Sequence, residues 1–150
     1  MGASATSAGG RGKTADRKRL EAEAWEAING LVMGMRPQMM ALCRELELYP
    51  PQLMTLRILD RPRPMREVAA KMACDSSNLT GITDRLEERG LVRRDPDPED
   101  RRVKLLVLTE EGEVLRREVI KRLGTPPPAF EAFSDRDLAT LGRLLAKALG

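Results

Sequence analysis

From Leu20 onward, apolar residues recur at steps of three and four: Ala24, Ile28, Leu31, Met35, Met39, Leu42 and Leu46. That spacing lays them on one stripe of a helix. The pattern predicts a single long helix over 14–46, of about eight turns. Gly30, Gly34 and Pro37 interrupt it, and an interior proline is expected to kink the axis near residues 33–37. The elements that follow are too short to bury a stripe of this length, so the pattern calls for a partner chain. Ahead of it, residues 1–13 are mostly Gly, Ala, Ser and Thr without periodicity, which reads as a flexible N-terminal tail.

A second helix is expected from Tyr49-Pro50-Pro51, with Leu53, Leu56 and Ile58 as its apolar face, until RPRP at 61–64 breaks it. A third, short helix from Met65 to Met72 points Val68, Ala69 and Met72 inward. Ala73-Cys74-Asp75 then makes a turn. The fourth helix runs from about Ser76 to Arg89, opened by Asp75 or Ser76 and closed by Gly90. LVRRD and RRVKLLVL around the turn segment PDPED predict a β-hairpin over 91–108. Glu110 and Glu111 open a helix with Leu115, Val119 and Leu123, which TPPP at 125–128 ends. Ser134 and Asp137 form a capping box for a last helix carrying Leu138, Leu141, Leu145 and Leu149.

Helix, three-residue turn, helix and β-hairpin in this order make a winged helix-turn-helix. Leu79, Ile82 and Leu86 fall on one face of the fourth helix and pack inward. Ser77, Gly81, Asp84 and Glu88 point the other way, flanked by Asn78, Thr80 and Arg85. Up to Asp84 that outer face is short, polar and uncharged, suited to close approach to base edges. The same residues would also serve as an ordinary solvated face. What favours recognition is the hairpin behind them, with Arg93, Arg94, Arg101, Arg102 and Lys104 available for phosphates or a minor groove. Its Asp95, Asp97, Glu99 and Asp100 reduce its net charge to +1, so the placement of the arginines matters more than their number.

Composition narrows the chemistry. The 150 residues carry 26 Lys plus Arg against 23 Asp plus Glu, a net charge of +3, and form one domain. Of the cations 20 are Arg, a bias that fits a nucleic-acid partner and equally a GC-rich coding genome. Histidine is absent, which excludes a histidine-based triad and removes the commonest zinc ligand; with no phosphate-cradling Gly-rich loop, no enzyme is expected, and no cofactor. Cys43 and Cys74 have no metal-ligand spacing and read as reduced thiols. With no apolar run of about 18 residues and no signal-like N-terminus, a cytoplasmic, nucleoid-associated protein without membrane contact is expected.

The stretch PPQLMTLRIL, REVAAKM, SSNLTGITDRLEERGLVRRDPDPEDRRVKLLVLTEEG resembles the MarR family of bacterial transcription regulators, and the resemblance spans roughly residues 14–149. DPEDRR, Asp97 to Arg102, matches that family's wing signature. The resemblance implies a mainly α fold with a small β-hairpin wing: a MarR-like domain over 14–150, with dimerisation helices at 14–46 and 110–149 around a winged helix-turn-helix at 49–108. It implies a homodimer that binds double-stranded DNA at a pseudo-palindromic operator, most simply as a repressor. Ser76, Ser77, Asn78 and Thr80 would start the recognition helix, Arg85 would lie near phosphate or base, and Arg101 and Arg102 would stand at the wing. A carboxylate facing DNA costs repulsion unless paired, so Asp84 or Asp100 is expected to pair with a wing arginine and hold the wing against the recognition helix.

Family members release DNA on binding a small aromatic or anionic effector. Met33, Met40 and Met54 with Arg36 are the residues here that would line such a hydrophobic pocket, the alternative being a methionine-rich core and dimer seam. Two further readings stay open: a winged-helix protein-interaction module, favoured by a fourth helix whose net charge is −1, and a cysteine-based redox sensor using Cys43 or Cys74.

Overall fold

The computed structural model describes residues 8–150. The chain divides into two units, Met1–Ala41 and Leu42–Gly150. The first is the body of helix α1 (Ala8–Glu45), continuous through Gly30, Gly34 and Pro37. The helix therefore begins inside the segment expected to be a tail. Once nucleated, a helix extends by one hydrogen bond per residue fixed, which composition alone does not reveal. Residues 1–7 lie outside the described residues. Along α1, Leu20, Trp25, Ile28, Val32, Met33 and Met40 are exposed.

The second unit holds the last turn of α1, then α2 (Pro50–Ile58), β1 (Arg63–Pro64), α3 (Met65–Lys71), α4 (Ser76–Glu88), β2 (Val92–Pro96), β3 (Lys104–Leu108), α5 (Glu110–Leu123), a 3₁₀ turn (Pro128–Ala132) and α6 (Asp135–Leu149). Its core joins Leu53 and Leu56 of α2, Val68 of α3, Leu79 and Leu86 of α4, Val92 and Leu106 of the sheet and Val119 of α5, all with essentially no exposure. Burying a leucine contributes about 1.5–3 kcal/mol, so this small set of side chains carries most of the unit's hydrophobic stabilisation. Thr55 and Thr83 are also fully buried. Each satisfies its hydroxyl locally, Thr55 Oγ1 donating to the Pro51 carbonyl at 2.9 Å and Thr83 Oγ1 to the Thr80 carbonyl at 3.0 Å.

The antiparallel sheet runs β1-β3-β2, with Val92 opposite Leu108 and Pro96 opposite Lys104 in the hairpin. The third strand was not expected: Arg63 and Pro64, read only as part of a helix break, pair with Leu106 and Leu105. A proline is tolerated there because β1 is an edge strand. Arg63 is buried, contrary to what its place in RPRP suggests. Its guanidinium pairs with Asp60 and Glu67, and its Nε donates to the Ile58 carbonyl at 3.0 Å. These bonds fasten the α2–β1 connection and hold the Asp60 carboxyl below the usual carboxylate range.

The junction after α4 is closely held. Gly90 stands at φ 68° past the helix end, with Leu91 N–H donating to the Leu86 carbonyl at 2.9 Å and Gly90 N–H to the Glu87 carbonyl at 2.8 Å. This is a Schellman closure. Thr109 Oγ1 donates to the Gly90 carbonyl at 2.6 Å and accepts from Gly112 N–H at 3.0 Å, capping α5 while it grips the end of α4. A Cβ on Gly112 would lie 1.9 Å from the Leu91 carbonyl oxygen. Gly112→Ala must therefore push α5 off this backbone and is expected to cost about 1–3 kcal/mol. Urea denaturation measures it, and an unchanged midpoint would mean that the junction is not rigid.

Candidate nucleic-acid interface

The turn between α3 and α4 is built by Ala73 at φ 49° and by Cys74 N–H donating to the Ala69 carbonyl at 3.1 Å. Asp75 then caps α4, accepting from Asn78 N–H at 2.7 Å and from the Ser77 hydroxyl at 2.7 Å. These two bonds hold the Asp75 carboxyl below the usual carboxylate range, the backbone bond from Asn78 first. Ser76, Ser77, Asn78 and Thr80 are all exposed on the first turns. Thr80 Oγ1 donates to the Ser76 carbonyl at 2.8 Å, which leaves its lone pairs free. Gly81 has open space around it, so the middle of this face is flat.

Both flanks of α4 are held. On one, Arg94 of β2 donates through Nη1 to Glu87 Oε2 at 2.7 Å and through Nη2 to Asp84 Oδ1 at 2.6 Å, and also bonds Thr83 Oγ1. On the other, the Arg85 guanidinium lies 5.8 Å from the centroid of the Tyr49 ring, within cation–π range. Arg89 reaches from the end of the helix to the carbonyls of Glu47 at 2.6 Å and Leu46 at 3.2 Å. Between the flanks, the inward stripe includes Thr83, fully buried, while Ile82 is only half-buried.

The wing loop is closed by Asp97 N–H donating to the Val103 carbonyl at 2.9 Å and Val103 N–H to the Asp100 carbonyl at 2.8 Å. Arg102 bonds Asp100 through backbone N–H at 3.1 Å and Nε at 3.0 Å, holding that carboxyl low. The Arg102 side chain is nevertheless 90% exposed. Arg101 is exposed and makes no ion pair among the described residues. The expected tie between wing and recognition helix is therefore formed by Asp84, with Arg94 as its partner, whereas Asp100 pairs inside the wing. The sequence pattern marks Arg94 only as one cation of the hairpin and gives Glu87, Thr83 and Tyr49 no place in the interface. Only Thr83 left a signal, four residues after Leu79 on the inward stripe.

The other candidate residues fall elsewhere. Met33, Arg36 and Met40 lie on α1 in the first unit, all exposed, with Arg36 Nη1 3.9 Å from Met33 Sδ. Met54 is half-buried on α2 in the second unit. An open groove of about 720 Å³ along α5, lined by Leu91, Val114, Leu115 and Glu118 among others, contains none of them. Cys43 is buried and its thiol pKa is pushed up by burial, the wrong direction for a reactive thiolate. Among the described residues no cluster of His, Cys, Asp or Glu could hold a metal, and no helix is long and apolar enough to cross a membrane.

A polar helix after a four-residue turn, with a basic hairpin fastened to its flank, defines a winged helix-turn-helix DNA-binding domain. Known proteins give the same assignment. The family profile of the MarR family matches residues 48–104. The HTH-type transcriptional repressor MdtR of Bacillus subtilis is 31% identical over 72% of this chain and 70% of its own. The structure of a MarR family protein from Bacillus stearothermophilus superposes with a TM-score of 0.77 at 28% identity, covering 87% of this chain and 94% of that one. CouR from Rhodococcus jostii RHA1, solved bound to p-coumaroyl-CoA, gives 0.61 at 32% identity over 80% and 85%. The chain belongs to the MarR family and is a DNA-binding transcription regulator.

The cap of the recognition helix titrates with a definite sign. A carboxyl whose folded pKa is depressed contributes its stability above the unfolded value of about 4 and loses it as pH falls through the folded value. Asp75→Ala is expected to lower the urea midpoint at neutral pH, and the gap from wild type should close well below about pH 4. A gap independent of pH would show that the Asp75 charge is not what caps α4.

Proposed function

We propose that a homodimer of this chain represses transcription by occupying a pseudo-palindromic operator with both recognition helices and both wings. The observation that carries this reading is the placement of Ser76, Ser77, Asn78 and Thr80 on the exposed start of α4, beside a wing that extends Arg101 and Arg102 into solvent. Hydroxyl and amide groups at a helix start suit base edges in the major groove, and extended arginines suit phosphates or the minor groove. Arg85, held over Tyr49, is directed to phosphate. Half-sites are then spaced by about one helical turn of DNA. The protein works by binding alone, catalyses no reaction and acts at the nucleoid in the cytoplasm.

Dimerisation rests on the segments 14–46 and 110–149, which flank the winged domain at 49–108 along the sequence. Support comes from apolar surface left uncovered in the single chain: Leu138, Leu144, Leu145 and Leu149 of α6 are exposed, and α6 has no buried residue. A helix of 15 residues is marginal alone in water, so α6 needs a partner surface. The effector is a small hydrophobic or aromatic anion that engages Met33 and Met40 on α1, with Arg36 as the anchor for its charge. CouR, a relative of this chain, was solved with an aromatic thioester, p-coumaroyl-CoA, bound to it. An effector releases DNA only by binding the DNA-incompetent dimer more tightly.

Operator fragments selected from genomic DNA, followed by fluorescence anisotropy across roughly 50–200 mM salt, test the DNA reading. Arg101→Ala and Arg102→Ala are each expected to weaken binding and to flatten the salt dependence, by about 0.9 in log–log slope per lost phosphate contact. Affinity insensitive to salt and to both substitutions would refute the docking mode. Sedimentation at micromolar concentration is expected to give a dimer, and a single-chain mass would refute the assembly. A panel of phenols and aromatic carboxylates is expected to contain compounds that lower operator affinity in the wild type but not after Arg36→Ala; a panel without effect refutes the effector site.

A further inference from the structure

Arg94 stands on the wing of a DNA-binding domain, and its default role would be one more phosphate contact. Its geometry is otherwise. The guanidinium spends Nη1 on Glu87 at 2.7 Å and Nη2 on Asp84 at 2.6 Å and on the Thr83 hydroxyl, with the Thr80 carbonyl at 3.4 Å. Its backbone N–H donates to the other Glu87 oxygen at 3.2 Å. The side chain is 25% exposed, against 90% for Arg102. Its partners all belong to α4, the helix that carries the polar face.

We propose that Arg94 is a positioning residue: it neutralises Asp84 and Glu87 so that α4 can approach the phosphates. This rests on the DNA-binding reading above. Without Arg94, α4 presents Asp84, Glu87 and Glu88 to a polyanion on a helix whose own cations, Arg85 and Arg89, lie on the opposite flank at Tyr49 and at the Leu46 and Glu47 carbonyls. Uncompensated carboxylates facing like charge are costly, and a partly buried pair loses most when one member is removed. Arg94 therefore acts on affinity through the charges that it covers.

The test compares wild type, Arg94→Met, Asp84→Asn/Glu87→Gln and the triple variant, using the full chain and a selected operator, with thermal melts alongside. Arg94→Met is expected to weaken operator binding by about tenfold or more. The triple variant is expected to recover to within about threefold of wild type, because the charges that needed covering are gone. If it stays as weak as Arg94→Met, the guanidinium is used on DNA itself and the proposal is overturned. Should Arg94→Met fail to fold, the double and triple variants decide. With the carboxylates removed, losing Arg94 is expected to change affinity by less than about threefold, and a tenfold loss overturns the proposal. Absence of sequence-specific binding by wild type would instead refute the DNA-binding reading, a separate outcome from any ratio between variants.

Discussion

A helix bearing Asp84, Glu87 and Glu88 stands in a DNA-binding domain, and covering their charge orders the winged unit. The bonds from Arg94 to Asp84 and Glu87 provide that cover, and other features follow from them. Since the arginine comes from β2, covering the acidic flank also docks the sheet on α4. The docking leaves the loop beyond β2 directed outward, where Arg101 and Arg102 extend. On the opposite flank, Arg85 over Tyr49 and Arg89 on the Leu46 and Glu47 carbonyls fix the roll of the helix. A recognition surface with little freedom to reorganise loses less entropy on binding, so rigidity here serves affinity as well as stability.

The rest of the second unit supports that surface from behind. Its most buried side chains lie between Leu42 and Val119, and the final 3₁₀ turn and α6 add none. Thr109 joins the two regions by capping α5 while holding the backbone that leaves α4, and the closeness of Gly112 to Leu91 removes slack from the joint. The winged core holds the buried side chains, whereas α6 is amphipathic and has no buried residue in the single chain. This division matches a domain that reads DNA on its own core and draws its remaining stabilisation from a second copy.

The legible part of the sequence was whatever rested on periodicity and punctuation. Leu79 and Leu86 lie inward, Asp75 and Gly90 bound α4, and Ser134 with Asp137 forms the capping box that the spacing announces. The hidden part depended on partners distant in sequence. RPRP reads as a break, and only pairing with Leu105 and Leu106 makes Arg63 and Pro64 a strand. Arg63 looks like a surface cation until Asp60 and Glu67 come together around it. Thr83 counts as polar, yet its hydroxyl is satisfied within its own helix and by Arg94, so it can replace an apolar residue in the core. Charge complementarity was legible at Asp84 as a need, while which arginine met it was a matter of sheet register.

The same logic reaches α1. Its last turn belongs to the winged unit, with Leu42 and Cys43 buried, and it is gripped from two helices. Arg89 donates to its terminal carbonyls, where the backbone turns at Glu47 with φ 52°, and Arg122 of α5 holds Glu45 in a two-pronged pair at 2.8 and 3.1 Å. Both bonds are charge-assisted, and one comes from the recognition helix itself. A helix end fastened in this way cannot shift without disturbing Arg89, and Arg89 cannot move without releasing the end of α4 that Gly90 and Thr109 close.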